Sequence, residues 1–433
     1  MNRRTAAIFA LCAAPRLLAL ALLPHPGSTS YDDLAAQLAT TGRFAFEGVA
    51  STYMEPLYPA FLAAARLLTA NSPRLVLLLQ IAVASLGGVL WYRLAARLAG
   101  ERVGLIAVCF YALDPYLVRQ SAAFLDVTLC TTLAIATALL LTDVQTRRDA
   151  AAAGVLFGLL MLTRASFGLA GVAAALWLAR CGRGRLSAIL AIATVLVQAP
   201  WMVRNVAADG SPLPSRLGEN LYVSTSRYAA LVPVHDIDLV VPLALAEVGP
   251  EAERLRPPPE RQQRAMDGAM LARAIAFIRQ SPGAVVRLKA RNALYLFDPR
   301  LLPRYAKSSG AYASVEAGAV RTFNEPRRPW IEDAAFTLAR TGLLLLAALG
   351  VLRRRTFDRD APLLILLAAT ATVCVIFFPA TRLMAPVMFV VMFYAAVGLD
   401  AMTGGGSEGP GTERPGTEGP KVTATSAAAP HPR

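Results

Sequence analysis

Charge is scarce in this 433-residue sequence, at 17% of positions, and acid is scarcer still, with 29 Asp and Glu against 43 Lys and Arg. A soluble chain of this length would carry more charge and interrupt its apolar runs more often. Here 55% of residues are hydrophobic, gathered in runs near the ~20 residues that cross a ~30 Å hydrocarbon layer. Histidine is nearly missing. His25, His235 and His431 lie far apart and show no metal-ligand spacing. Cys12, Cys109, Cys130 and Cys374 sit within apolar runs and Cys181 in a short Arg-rich turn, so no disulfide framework is visible and they read as small apolar fillers. No Walker-type glycine loop occurs, which leaves nucleotide-driven chemistry without support.

The net charge of +14 could suggest a nucleic-acid partner, but the positions of the charges argue otherwise. Arg3 and Arg4 precede the first apolar run. Arg93, Arg97 and Arg102 follow the second, and Arg147, Arg148, Arg180, Arg183, Arg185 and Arg353 to Arg355 fall in other short connections. Short Arg-rich loops are what the positive-inside rule keeps in the cytoplasm. The opening "MNRRTAAIFALCAAPRLLALALLPHPGS" has the basic start and small residues of a signal peptide. Because further spans follow, it is expected to stay as the first span, about Ala6 to Leu23.

From there the runs predict an all-α bundle of about ten spans with both termini inside. Residues 1–203 form an N-terminal transmembrane module whose first outer loop, 25–73, carries two amphipathic segments, "YDDLAAQLATTG" and "PLYPAFLAAARLLTA". Residues 204–333 are too polar to span and predict a mostly helical extracytoplasmic domain, with helices at Gln263 to Arg279 and Gly283 to Tyr295. Residues 334–402 hold the last spans, and 403–433 form a Gly-, Pro- and Thr-rich tail without an apolar face, expected to be disordered.

This topology places Asp32, Asp33, Glu55, Arg119, Asp126, Arg164, Arg204 and Arg382 at or near the outer ends of spans. Asp32 and Asp33 stand at a helix start, where capping alone would account for them. Asp126 lies within the first turns of a span, where an ionisable residue is a functional candidate or else the partner of an arginine such as Arg119. Arg164 and Arg382 could simply snorkel to the headgroups. Together, though, acids and arginines on one face describe a site for an anionic lipid: guanidinium binds phosphate oxygens in a bidentate way, and a carboxylate can take a proton from an attacking hydroxyl.

"YDDLAAQLATTGRF…YMEPLYPAFLAA" resembles the first outer loop of multispanning glycosyltransferases with the GT-C fold, in particular bacterial relatives of protein O-mannosyltransferases and of aminoarabinose-to-lipid-A transferases. "YALDPYLVRQSAAFLDVTL" resembles their second outer loop, "GLLMLTR" and "APWMVRN" their recurring span ends, and "FPATRLMAPVMFVVMFYAAVGL" their late Arg-containing span pair. The resemblance implies transfer of a hexosyl or pentosyl group from a polyprenyl-phosphate donor to a lipid, glycan or protein acceptor, at the outer face of a bacterial inner membrane. It implies Asp32 or Asp33 as the base and Asp126 as a second acid shaping the site. Glu55, with Tyr58 in the same stretch, and Arg119, Arg204 and Arg382 become candidates for binding substrate. Two departures stand out: Tyr31 precedes both first-loop acids, and Pro56 follows Glu55 directly where some relatives have a lysine. No cofactor is assigned, and a divalent metal held by the acids is left open because ligand spacing cannot be read across separate loops. The competing reading is a transporter or lipid flippase of envelope precursors, which should show internal repeats and spans broken near mid-membrane; neither is evident.

Overall fold

The computed structural model describes residues 2–22, 29–231, 240–254, 258–299, 312–316, 319–323, 330–354 and 357–404. The tail beyond 404, part of the first outer loop (25–28) and several stretches of the 204–333 segment lie outside the described residues. Helices occupy every run expected to span. Among the described residues six are long and apolar enough to cross a membrane: Arg3–Leu22, Pro73–Ala99, Gly184–Asp209, Ala334–Arg353, Phe357–Ile376 and Thr381–Met402. Val127–Leu141 and Ala165–Arg180 are shorter apolar helices, as is Leu57–Leu68 in the first loop. Residues 204–333 hold the helices Pro259–Gln280 and Pro282–Tyr295 where two were expected, together with Leu217–Ser224 and Val240–Arg254. They also contain a hairpin pairing Tyr312–Glu316 with Ala319–Phe323. The chain is thus an all-α polytopic bundle with juxtamembrane helices, as its hydropathy implied.

With no hydrophobic drive between helices inside lipid, association rests on close backbone approach at small residues. Gly154 and Gly158 supply it between Arg147–Thr163 and Gly184–Asp209. A Cβ at Gly154 would lie 2.4 Å from the Leu190 carbonyl oxygen, and one at Gly158 2.5 Å from Val197 Cβ. Gly350 and Gly398 do the same for the last spans, where Cβ atoms would meet the Tyr394 and Leu346 carbonyls at 1.8 and 2.1 Å. At the end of this bundle that includes Ala99 and Arg353, Arg354 grips the buried Asp360 through two bonds of 2.9 and 2.7 Å. The Tyr394 hydroxyl donates to the same carboxylate at 3.2 Å. The opposite end holds the first loop.

Candidate active site

Thr29 builds the entrance to the first loop. Its hydroxyl accepts the Asp32 N–H at 3.3 Å, capping the helix Ser30–Thr41, and donates to the Phe124 carbonyl at 3.0 Å. The helix ends at Gly42, whose φ of +68° lets its N–H reach back to the Leu38 carbonyl at 3.0 Å. Asp32 is buried and ion-paired with Arg66 of Leu57–Leu68, so it ties the two first-loop helices together. Asp33, next along, is exposed. Tyr31 stands edge-on to Tyr58 with ring centroids 5.2 Å apart. Tyr58 is fully buried and donates to Gln80 Oε1 at 2.7 Å, and the Gln80 amide in turn donates to the Ser121 and Ala123 carbonyls at 3.0 and 2.7 Å. The side chain read as substrate-binding therefore pins the first loop to the turn before Asp126.

Asp126 is 3% exposed and accepts Nε and Nη2 of Arg164 at 2.5 and 2.8 Å, a bidentate fork. The remaining Arg164 nitrogen donates to the Arg382 carbonyl at 2.6 Å. The next N–H in the chain, that of Ala165, donates to Glu55 Oε1 at 3.1 Å. Three distant spans and the first loop thus meet at one point, and Asp126, Arg164, Arg382 and Glu55 come together as the topology implied. Arg204 is used differently. It donates to the carbonyls of Ser51 and Phe44, the latter at 2.8 Å, and lies 4.7 Å from the Trp201 ring centroid. It holds the short hairpin of Ala45–Phe46 and Val49–Ala50 in place. Arg119 sits half-buried on the short helix Pro115–Ser121.

Arg216 completes the cluster, and sequence reasoning did not single it out. Its guanidinium lies 4.7 Å from the Tyr53 ring centroid, and its Nε is buried with no hydrogen-bond partner among the described residues. A clamp fixes it there. Asp209, at the end of Gly184–Asp209, accepts Thr52 Oγ1 at 2.5 Å and Arg264 Nε at 3.1 Å. Ser215 N–H donates to the Thr52 carbonyl at 3.0 Å. On its other side, a Cβ at Gly218 would lie 1.8 Å from the Asp267 carbonyl oxygen, so the helix Leu217–Ser224 is pressed directly on Pro259–Gln280. The only local signal was an arginine in "SPLPSRLGEN", a stretch without periodicity.

The electrostatics follow from burial. Burial raises the Glu55 carboxyl above its ordinary range, and the nearby Arg216 charge opposes this. Burial pushes the Tyr53 hydroxyl up to about 12. For Arg216, burial disfavours charge, but Tyr53, Glu55, Tyr31 and Glu219 outweigh it and hold the guanidinium above its usual value. Tyr53 also donates to both Glu219 oxygens at 2.9 Å. Among the described residues no three His, Cys, Asp or Glu side chains gather as a metal site; the buried acids here face arginines or a backbone N–H instead. What the cluster offers is a half-buried cation, its buried Nε without a partner among the described residues, beside a carboxylate of raised basicity.

Residues 54–203 match the family model described as dolichyl-phosphate-mannose-protein mannosyltransferase. No curated protein matches the chain by sequence. Among solved structures the chain is similar to ArnT from Cupriavidus metallidurans bound to undecaprenyl phosphate, at 13% identity and a TM-score of 0.43, covering 92% of this chain and 78% of that one. It is also similar to the archaeal oligosaccharyltransferase AglB from Archaeoglobus fulgidus in complex with an inhibitory peptide and a dolichol-phosphate, at 14% identity and a TM-score of 0.48, covering 92% of this chain and 50% of that one. The family match runs from Met54 to Val203, the segment that supplies Glu55, Asp126 and Arg164, and over that segment it bears out the resemblance to lipid-phosphate-sugar-dependent glycosyltransferases of the GT-C type.

Proposed function

We propose that this protein transfers a hexosyl or pentosyl group from a polyprenyl-phosphate donor to an acceptor hydroxyl at the Glu55–Arg216 cluster, with Glu55 as the base. The observation that carries the reading is the pairing of Arg216, whose buried Nε lacks a partner, with a half-buried carboxylate of raised basicity. The hydroxyl proton passes to the Glu55 carboxylate as the oxygen attacks the anomeric carbon. The bond from that carbon to the phosphate oxygen breaks, and the phosphate leaves with the electron pair. Arg216 meets the charge it gains, with the exposed Arg382 at the same end of the bundle. Phosphate is a competent leaving group, so no acid is needed. Asp126 and Asp32 act as positioning residues through Arg164 and Arg66, while the exposed Asp33 is the second carboxylate in reach of an acceptor.

The Arg-rich turns at Arg93, Arg97, Arg147, Arg148 and Arg353 lie at the opposite end of the bundle, which favours a site on the outer face of the plasma membrane, a bacterial inner membrane, with both termini cytoplasmic. The experiment is discharge of a panel of radiolabelled polyprenyl-phosphate sugars, with Glu55→Gln, Asp33→Asn and Arg216→Met beside wild type. Loss of turnover with donor still bound in Glu55→Gln, and loss of donor affinity in Arg216→Met, are expected. If Asp33→Asn alone is inactive, the base is in the first-loop helix. If no donor is consumed, the transport reading returns.

A further inference from the structure

The end of the bundle remote from this chemistry carries a cleft of its own. Val127–Leu141 and Arg147–Thr163 each contribute one end to the site region, through Asp126 and Arg164, and Pro73–Ala99 holds the first loop there through Gln80. Their other ends converge on a cavity of about 350 Å³ lined by Arg93, Arg97, Leu139, Leu140, Asp143 and Asp149. At ~1.5 Å per residue, Arg93 lies about 30 Å along its helix from Pro73. The volume falls in the range of small-molecule sites, ~300–1,000 Å³.

The charges in it are balanced and ordered. Arg97 and Asp143 pair at 3.1 Å with half or more of each side chain exposed. Asp149 is fixed by its capping box: one carboxylate oxygen accepts the Gln145 and Thr146 N–H groups at 3.1 and 2.7 Å. Arg93, one turn before Arg97, is exposed and makes no hydrogen bond or ion pair among the described residues. Leu139 and Leu140, half-buried against the core, form the apolar part of the lining. A ligand of one sign would meet two opposing charges here. A zwitterion would not.

We propose that this cleft binds the phosphoethanolamine headgroup of a bilayer lipid, its phosphate on Arg93 and Arg97, its ammonium on Asp143 and Asp149, and its acyl chains along Leu139 and Leu140. A primary ammonium donates hydrogen bonds to carboxylates. The trimethylammonium of a choline headgroup has no N–H to give, and a glycerol headgroup brings no positive charge. The test is native mass spectrometry of the full-length protein after incubation with equimolar phosphatidylethanolamine, phosphatidylcholine and phosphatidylglycerol. Retention of phosphatidylethanolamine several-fold above both others is expected, reduced several-fold in Arg93→Gln and in Asp143→Asn. Arg93 has no partner to lose among the described residues, so its variant probes binding without endangering the fold. Equal retention of the three lipids, a preference for phosphatidylglycerol, or undiminished phosphatidylethanolamine in Arg93→Gln would each overturn the proposal.

Discussion

Replacing Asp126 by asparagine separates a structural from a chemical role for the acid that sequence reasoning marked most strongly. The substitution leaves Arg164, 9% exposed, charged in an apolar setting without its counter-ion. Asparagine can still accept from Arg164 through its carbonyl oxygen, but its amide NH₂ then faces a second guanidinium N–H, donor against donor. One charge-assisted bond weakens, another becomes a repulsion, and breaking a buried pair from one side costs ~3–5 kcal/mol. Retention of one acceptor puts the expected loss near the lower bound, about 3 kcal/mol. Thermal unfolding in lipid nanodiscs should show an apparent melting temperature lower by several degrees. The double variant Asp126→Leu with Arg164→Met leaves no buried charge unpaired and should recover most of the stability. Turnover should not return with it, because Arg164 also holds the Arg382 carbonyl at 2.6 Å. An Asp126→Asn protein that melts like wild type yet has no turnover would refute this reasoning and make the carboxylate a participant in the chemistry.

Glu55 should give the turnover profile an acidic limb above the ordinary glutamate range of ~4.3, since activity that needs the carboxylate falls as pH drops through a raised value. Arg216 opposes that rise, so Arg216→Gln should move the limb to still higher pH, measured on whatever turnover remains; an unmoved limb would dissociate the two residues. Half-buried Lys289 donates to Thr225 Oγ1 at 2.6 Å and to the Ser224 carbonyl at 3.2 Å, and burial lowers it to about 8 from 10.5. Between those values the unfolded chain holds more protons, so stability should be lowest below pH 8 and rise from pH 8 towards 10. Melting curves of Lys289→Met should lack that rise. Gly350→Ala puts a methyl 1.8 Å from the Tyr394 carbonyl oxygen, so Trp330–Arg353 must move off Met388–Met402. A cost of ~1–3 kcal/mol in unfolding is expected, whereas Gly342→Ala on the same helix, with open space around it, should be silent.

The depth of each embedded charge was legible in the sequence, and its partner was not. Hydropathy is a code along one axis: the apolar runs say where a helix enters and leaves lipid, and from them Asp126, Arg164 and Arg382 fall on one end of the bundle before any contact is known. Partner choice depends on how each helix is turned about its own axis, which is set by small-residue contacts such as Gly154 with Leu190 and Gly350 with Tyr394. That is why two aspartates with the same apparent claim part company. Asp32 faces Arg66 and is buried, while Asp33 is exposed. It is also why Arg204, on the same end of the bundle, bonds the Ser51 and Phe44 carbonyls of a hairpin that the sequence did not announce.

Arg216 lies beyond even this partial legibility. It is in no span and on no amphipathic face, and its position follows from Thr52, Asp209, Ser215 and Arg264 meeting across separate parts of the chain. Its mark is negative, a buried guanidinium Nε without a hydrogen-bond partner among the described residues, which it shares with Arg16, Arg291 and Arg340; what sets it apart is its place beside Glu55 and Tyr53. Buried polar groups are nearly always satisfied, because leaving one unmet costs ~1–3 kcal/mol and more when the group is charged. Asp209, paired with Arg264, helps hold the segment that places this group on Tyr53 beside a carboxylate, and on the proposed reading its unmet hydrogen-bonding capacity serves a partner from outside the chain. In that proposal, an anion that arrives already bonded to a lipid and a sugar would satisfy that nitrogen only while bound. The charge it would gain as the glycosyl bond breaks would strengthen the contact, so in the proposed mechanism the same unmet group both draws in the donor and favours its cleavage.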